Sequence, residues 1–222
     1  SFTCPGAGGR RVEGALLVTR GLAWAIACLL VVPFAAFHLL RDSQAEAPLP
    51  VLHTLGGEFA LQSTLGRNVT LSEFRGSVVV LNFGFTACPD VCPTALARMR
   101  DALDLAGPGP RAVVPLFVTL DPQVDTVERL MPYVRHFHPQ LIGLTGLPEE
   151  VAAAAAPFKV YYRRDQQNAA GTYSISHSSH LYLIDSSGRV RATFGEGIPV
   201  ERVAEAIRRL QGENEAWQET SV

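Results

Sequence analysis

Two uninterrupted apolar runs constrain the fold of this chain most strongly. They are Ser77–Phe83 (SVVVLNF) and Ala112–Leu120 (AVVPLFVTL). Strands with one wet face alternate apolar and polar residues, whereas strands buried on both faces form continuous apolar stretches. The two runs therefore predict neighbouring core strands of a sheet that is covered on both sides.

Further strand-like and helix-like segments alternate around these runs. We expect helices over Pro93–Leu105, from Asp125-Thr-Val-Glu128 to Phe137, over Pro148–Ala156 and over Val200–Leu210. Strands are expected over Phe59–Leu61, Asn68–Thr70, Lys159–Arg163, Thr172–Ile175, Leu181–Asp185 and Val190–Phe194. This order predicts an α/β domain with a mixed sheet. It suits a thioredoxin-like fold with an N-terminal β-hairpin and an inserted hairpin near residues 159–175.

One segment near the N-terminus has the length and composition of a membrane span. Gly21–Leu40 contains no Asp, Glu, Lys or Arg, and twenty helical residues span about 30 Å, the thickness of the bilayer core. Arg10, Arg11 and Arg20 precede it, which predicts a cytoplasmic N-terminus and an exported remainder. Ala45-Glu46-Ala47 leaves a cleaved signal peptide as the alternative, and either reading exports the domain.

The resulting organisation has five parts. Residues 1–20 are a cytoplasmic leader, 21–40 a transmembrane anchor, 41–56 a linker, 57–211 one domain, and 212–222 a polar tail. The net charge is −2, and no basic stripe with interleaved aromatic residues is visible. We therefore expect no nucleic-acid partner.

Cys88 and Cys92 are the cysteines of the expected soluble domain, and three residues lie between them. The motif leaves a buried strand and enters a helix, where backbone N–H groups and the helix dipole favour a thiolate. Two intervening residues are usual for a redox dithiol, whereas three can set the sulfurs as two corners of a metal site. A redox pair and a metal site both remain open, since three residues do not forbid a disulfide.

A metal would need a third ligand, and imidazole beside thiolate suits copper or zinc. His177 and His180 lie in the segment that leads into the expected strand Leu181–Asp185. In a thioredoxin-like fold, the loop before this strand faces the dithiol. His180 adjoins the strand and His177 lies further out in a Ser-rich loop, so position alone favours His177 only modestly.

Three stretches resemble the Sco/SenC family of membrane-anchored copper proteins: Phe83–Thr94 (FGFTACPDVCPT), Thr119–Thr126 (TLDPQVDT) and His177–Asp185 (HSSHLYLID). The resemblance implies a thioredoxin-like fold and copper, Cu(I) or Cu(II), bound by Cys88, Cys92 and His177. His180 occupies a position that is usually apolar in the family, which keeps it as a rival ligand.

The resemblance also implies a function and partners. The protein would be a metallochaperone that helps deliver copper to the dinuclear centre of cytochrome c oxidase subunit II, alongside other copper chaperones and a thioredoxin-like reductant. It would lie in the bacterial inner membrane facing the periplasm, or in the mitochondrial inner membrane facing the intermembrane space. The alternatives are a thiol–disulfide oxidoreductase that uses Cys88 and Cys92 as its redox pair, and a redox sensor. Asp125 is expected to cap a helix, and Asp121 to support the site indirectly.

Overall fold

The computed structural model describes residues 48–166 and 173–213. The predicted leader, the anchor over 21–40 and nearly all of the tail lie outside these residues. Among the helices of the described part, none is long and apolar enough to cross a membrane.

The described residues form strands, α-helices and two short 3-10 turns, Leu71–Phe74 and Ala156–Phe158. The strands are β1 (Ala60–Ser63), β2 (Asn68–Thr70), β3 (Val78–Gly84), β4 (Val113–Thr119), β5 (Ile142–Thr145), β6 (Tyr162–Arg164), β7 (Ile175–His177), β8 (Leu181–Ile184) and β9 (Val190–Phe194). The α-helices are α1 (Val91–Ala106), α2 (Val127–Phe137), α3 (Pro148–Ala155) and α4 (Val200–Gly212).

Seven of these strands form one sheet in the order β2-β1-β5-β4-β3-β8-β9. Strand β3 runs parallel to β4, and β4 parallel to β5, while the other pairs in this sheet are antiparallel. Strands β6 and β7 form a separate antiparallel hairpin. The predicted mixed α/β sheet, its N-terminal hairpin and the inserted hairpin are confirmed.

The interior strand β3 is buried on both faces, as its continuous apolar sequence predicted. On one face, Val78 and Val80 pack with apolar side chains of α1, α2 and α4. On the other face, Val79 and Leu81 pack with the N-terminal hairpin and α3. Helices on both sides hold β3 in place. The position at which the chain continues beyond the carboxyl end of β3 is therefore fixed.

Strand β5 was not predicted, although it lies inside the sheet between β1 and β4. It has four residues and carries Gly143, which breaks the apolar pattern of a longer strand. A Cβ at Gly143 would lie 3.1 Å from Leu130 Cβ and 3.2 Å from Val134 Cγ1, both on α2. The glycine therefore allows α2 to pack closely on the sheet.

The two ends of the described domain are joined by Arg191, whose side chain is 4% exposed. Its Nε donates to the Leu49 carbonyl at 2.9 Å. Its Nη1 lies 3.0 Å from Oδ2 of Asp185 and 2.7 Å from Oε2 of Glu213. Part of the predicted linker, residues 48–56, thus contacts the domain. A buried guanidinium needs such partners, since an unpaired buried charge is costly.

Candidate metal centre

The cysteine motif follows the carboxyl end of β3. Cys88 lies in the connecting loop and is partly buried, with its N–H donating to the Phe85 carbonyl at 3.3 Å. Helix α1 begins at Val91, two residues earlier than predicted, so fully buried Cys92 is in its first turn. The expected arrangement of one loop cysteine and one cysteine at a helix N-terminus is observed.

His177 comes from the separate hairpin. It is the last residue of β7 and is paired with Tyr162 of β6. The prediction that it lies in a loop beyond a strand ending at Ile175 was wrong. Strand pairing holds the backbone of His177. The hairpin, rather than a flexible loop, therefore sets the direction in which the His177 side chain leaves the backbone.

The three side chains meet at one point. The Sγ of Cys92 lies 3.2 Å from Nε2 of His177, and the ligand atoms of Cys88, Cys92 and His177 are all within 4.8 Å of one another. His177 Nδ1 lies 3.1 Å from the Ser178 carbonyl oxygen. With the proton on Nδ1 donated to this carbonyl, Nε2 keeps its lone pair toward the sulfurs, as histidine ligands of metals commonly do.

His180 is not brought to the two cysteines. Its ring lies beside Tyr182, with centroids 6.3 Å apart, and a Cβ added at Gly195 would lie 3.8 Å from its Nε2. Its carbonyl accepts from Asn82 Nδ2 at 3.0 Å. Within residues 48–166 and 173–213, the group whose ligand atoms are close enough for one ion contains His177 and not His180.

Apolar side chains surround the cysteine pair. Cys92 packs with Phe85 and Ile175, and the Phe85 ring meets the His177 ring edge-on at 5.8 Å. Burial raises the pKa of the Cys92 thiol well above its usual range, with a smaller contribution from nearby Cys88. The helix N-terminus was expected to favour a thiolate, but at Cys92 burial outweighs it. A metal that binds here must therefore displace the thiol proton.

Gly84, the last residue of β3, shapes the candidate site, although no role for it was predicted from the sequence. A Cβ there would lie 2.8 Å from Cys92 Sγ and 2.9 Å from Phe117 Cε2. Glycine at this position gives the sulfur its place against the strand. The only sequence signal is a glycine between a core strand and the cysteine motif.

Asp125 does not cap α2 as expected, because Thr126 is the N-cap residue. Its buried carboxylate instead accepts from the Thr86 N–H at 2.9 Å, from the Thr86 hydroxyl, and from the Thr119 hydroxyl at 2.7 Å. Arg129 Nε lies 3.4 Å from Oδ1 of Asp125. Asp125 therefore fastens the cysteine loop to the end of β4, which local sequence spacing could not reveal.

Asp121 is also buried, at 2% exposure. Its carboxylate accepts from Arg164 of β6 and from Tyr173, which precedes β7. It lies outside the group of three potential ligands. Its contacts thus connect the end of β4 with the hairpin that carries His177.

A profile of the SCO1/SenC family matches residues 50–212. The chain belongs to this family. Its similarity to the mitochondrial SCO2 homolog of Homo sapiens is 37% identity over 155 residues, or 69% of this chain and 58% of that protein. The chain therefore spans less than two thirds of the length of this relative.

Solved structures of Sco proteins share the fold. Copper-bound ScoI of Arabidopsis thaliana is 35% identical, with a TM-score of 0.65 over 70% of this chain and 96% of that one. BsSco, described as a member of the Sco family of cytochrome c oxidase assembly proteins with a disulfide switch, has a TM-score of 0.61 over 76% and 100%. At 21% identity, BsSco supports the fold alone. The Cys-Cys-His group of this chain is one that could bind a metal.

Proposed function

We propose that this Sco protein binds copper through Cys88, Cys92 and His177 and delivers it to the dinuclear copper centre of cytochrome c oxidase subunit II. The supporting observation is the convergence of the three donor atoms within 4.8 Å. Two thiolates and a neutral imidazole are soft to intermediate ligands that suit copper. Zinc accepts the same donors, but the copper bound in the structure of Arabidopsis ScoI supports copper as the ion of this chain.

The two cysteines differ in how they hold and release the ion. Cys92 is inaccessible, whereas Cys88 is partly exposed at the loop. An incoming partner thiolate would approach on the Cys88 side and replace the ligands one at a time. Copper would thus leave by ligand exchange, and oxidation of the pair to a disulfide would remove two of its three ligands.

A second candidate function is reduction of a disulfide in the same copper centre. Partly buried Cys88 beside fully buried Cys92 also suits an attacking thiol and a resolving thiol. The Cys88 thiolate would form a mixed disulfide with the partner, and Cys92 would then displace the partner as a dithiol, leaving the Cys88–Cys92 disulfide. A thioredoxin-like dithiol protein would restore the reduced pair. This exchange does not require His177 as a ligand.

The domain is proposed to work outside the membrane that carries it. The apolar segment 21–40 and the arginines before it support a single anchor with an exported domain. The membrane would be the bacterial inner membrane facing the periplasm, or the mitochondrial inner membrane facing the intermembrane space. Protease digestion of intact spheroplasts should remove the domain, whereas a cytoplasmic domain would be protected.

Copper titration of the reduced full chain in detergent tests the ligand set. Against a competing chelator, we expect one Cu(I) per chain for wild type and at least about a hundredfold weaker binding for Cys88→Ser, Cys92→Ser or His177→Ala. His180→Ala is the matched control and should bind as wild type does. Wild-type affinity in His177→Ala would overturn the ligand assignment. If that variant also kept full reductase activity, the second function would be favoured.

A further inference from the structure

The hairpin β6–β7 carries a proposed ligand but does not belong to the seven-stranded sheet. Its strands pair only with each other among the described strands, with Tyr162 opposite His177 and Arg164 opposite Ile175. The position of His177 relative to the cysteines therefore depends on what attaches this hairpin to the rest of the domain.

Asp121 binds both sides of the hairpin. Its Oδ1 accepts from Arg164 Nη2 at 2.6 Å, and its Oδ2 accepts from the Tyr173 hydroxyl at 2.5 Å. The Arg164 guanidinium also lies over the Tyr173 ring, 4.1 Å from its centroid. A buried carboxylate with two strong donors and a stacked cation is a rigid attachment, because each group fixes the other two.

Asp121 is itself fixed to the sheet. It lies just beyond the end of β4, and its N–H donates to the Thr119 hydroxyl at 3.0 Å. The same hydroxyl donates to Asp125, which holds the cysteine loop through Thr86. One hydrogen-bonded chain at the end of β4 thus anchors the cysteine loop on one side and the hairpin on the other.

We propose that Asp121 is a positioning residue that holds the β6–β7 hairpin closed over Cys92, and so sets His177 within bonding distance of the metal. Arg164 and His177 are separated by two positions along paired strands, about 7 Å, so a fixed Arg164 fixes His177. The inner side chains of the hairpin, Tyr162 and Ile175, lie against the Cys92 cluster. Opening the hairpin would uncover Cys92 and withdraw His177 together.

This proposal deepens the proposed function, on which it rests. With the hairpin closed, copper has three ligands from this chain; with it open, only the two cysteines remain. An incoming thiolate then finds a free coordination position. The Asp121 attachment would therefore set how tightly copper is held and how readily it is handed over.

A double-mutant cycle separates this role from general destabilisation. Cu(I) affinity is measured for wild type, Asp121→Asn, His177→Ala and the double variant, using the reduced full chain. The amide keeps only one acceptor oxygen for the two donors Arg164 and Tyr173, and it removes the negative charge that pairs with Arg164. We expect Asp121→Asn to weaken binding at least about tenfold when His177 is present and by less than about twofold in His177→Ala. An equal loss in both backgrounds would overturn the proposal.

A second readout uses the metal-free protein. In a Cys88→Ser background, alkylation of Cys92 should be at least about fivefold faster in Asp121→Asn, because local opening exposes the thiol. Asp185→Asn is the matched control: Asp185 is similarly buried and ion-paired, but it follows β8 at the end of the sheet away from the cysteines. It should leave the alkylation rate unchanged. Unchanged labelling and copper affinity in Asp121→Asn would refute the attachment.

Tyr173→Phe provides a milder variant should Asp121→Asn fail to fold. It removes one hydrogen bond to Asp121 and keeps the ring under Arg164. We expect smaller changes of the same kind in Cu(I) affinity and in the rate of Cys92 alkylation. An absence of both changes would count against the proposal. If wild type itself bound no copper, the proposed function would fall, whereas the labelling rates would still decide whether Asp121 closes the hairpin.

Discussion

Substituting Gly84 by alanine adds one methyl group at the point where β3 meets the proposed centre. The new Cβ would lie 2.8 Å from Cys92 Sγ and 2.9 Å from Phe117 Cε2, whereas ordinary contacts are 3.4–4 Å. The sulfur, the ring or the strand must therefore move, and an ordinary contact with the sulfur needs a shift of about 0.6 Å. The neighbouring atoms are enclosed, since Cys92 and Phe117 are both fully buried.

The displacement has two separable consequences. Overpacking of this size lowers the free energy of unfolding by about 1–3 kcal/mol. Ligands must be held within about 0.5 Å of their productive positions, so we expect copper affinity to fall at least about tenfold as well. Removing the sulfur should relieve one of the two close contacts of the methyl group. In a Cys92→Ala background, the stability cost of Gly84→Ala should therefore shrink by about 1 kcal/mol or more.

Urea unfolding and chelator competition measure both effects. Gly197→Ala is the control, because a Cβ there meets nothing within 4 Å and Gly197 is not among the described glycines with positive φ. It should leave copper affinity unchanged. Wild-type stability and affinity in Gly84→Ala would show that Cys92 is not packed against β3 as described.

Three further predictions concern the reduced, metal-free protein. Alkylation should modify Cys88 at least about tenfold faster than Cys92, as followed on the separate labelled peptides, since only Cys88 is partly exposed. Equal rates at the two cysteines would contradict this burial. Because burial raises the folded-state pKa of Cys92, its contribution to stability is complete below the unfolded pKa of about 8.5 and is lost as the pH rises above it. Between about pH 8.5 and 10, the unfolding free energy should then fall by up to about 1.4 kcal/mol per pH unit, and Cys92→Ser should remove this contribution. Asp125→Ala should lower the unfolding free energy by about 3 kcal/mol in urea, since it leaves the buried donors of Thr86 and Thr119 unpaired, and a loss below about 1 kcal/mol would show that water replaces the carboxylate.

The elements that the sequence predicted well are those specified locally. Strands β3 and β4 are long apolar runs, and α1 follows its cysteine motif with a proline in the first turn. Strand β5 could not be predicted, because four residues around Gly143 carry no periodic pattern. Its place in the sheet comes from pairing with β1 and β4, and Gly143 allows α2 to pack closely on it; both are tertiary features.

The site was predictable only where its residues are close in sequence. Cys88 and Cys92 are recognisable by their spacing, whereas His177 and His180 lie three positions apart and local sequence hardly separates them. Their difference comes from the end of β7, which directs His177 to the sulfurs, and from the start of β8, where the His180 ring lies beside Tyr182. Asp125 was misassigned because a Ser, Thr or Asp before a helix is usually a cap. Its partner Thr86 is 39 residues away in sequence.

The geometry of the three proposed ligands supports the proposed transfer of an ion rather than its permanent storage. Structural metal sites are closed by four protein ligands, whereas the described residues gather three at this point. One proposed ligand, Cys92, is fixed by a helix and by close packing against Gly84. The other two can release the ion in different ways: Cys88 through exposure at the loop, and His177 through a hairpin outside the main sheet. An ion held by one fixed and two releasable ligands can be exchanged stepwise without unfolding the domain.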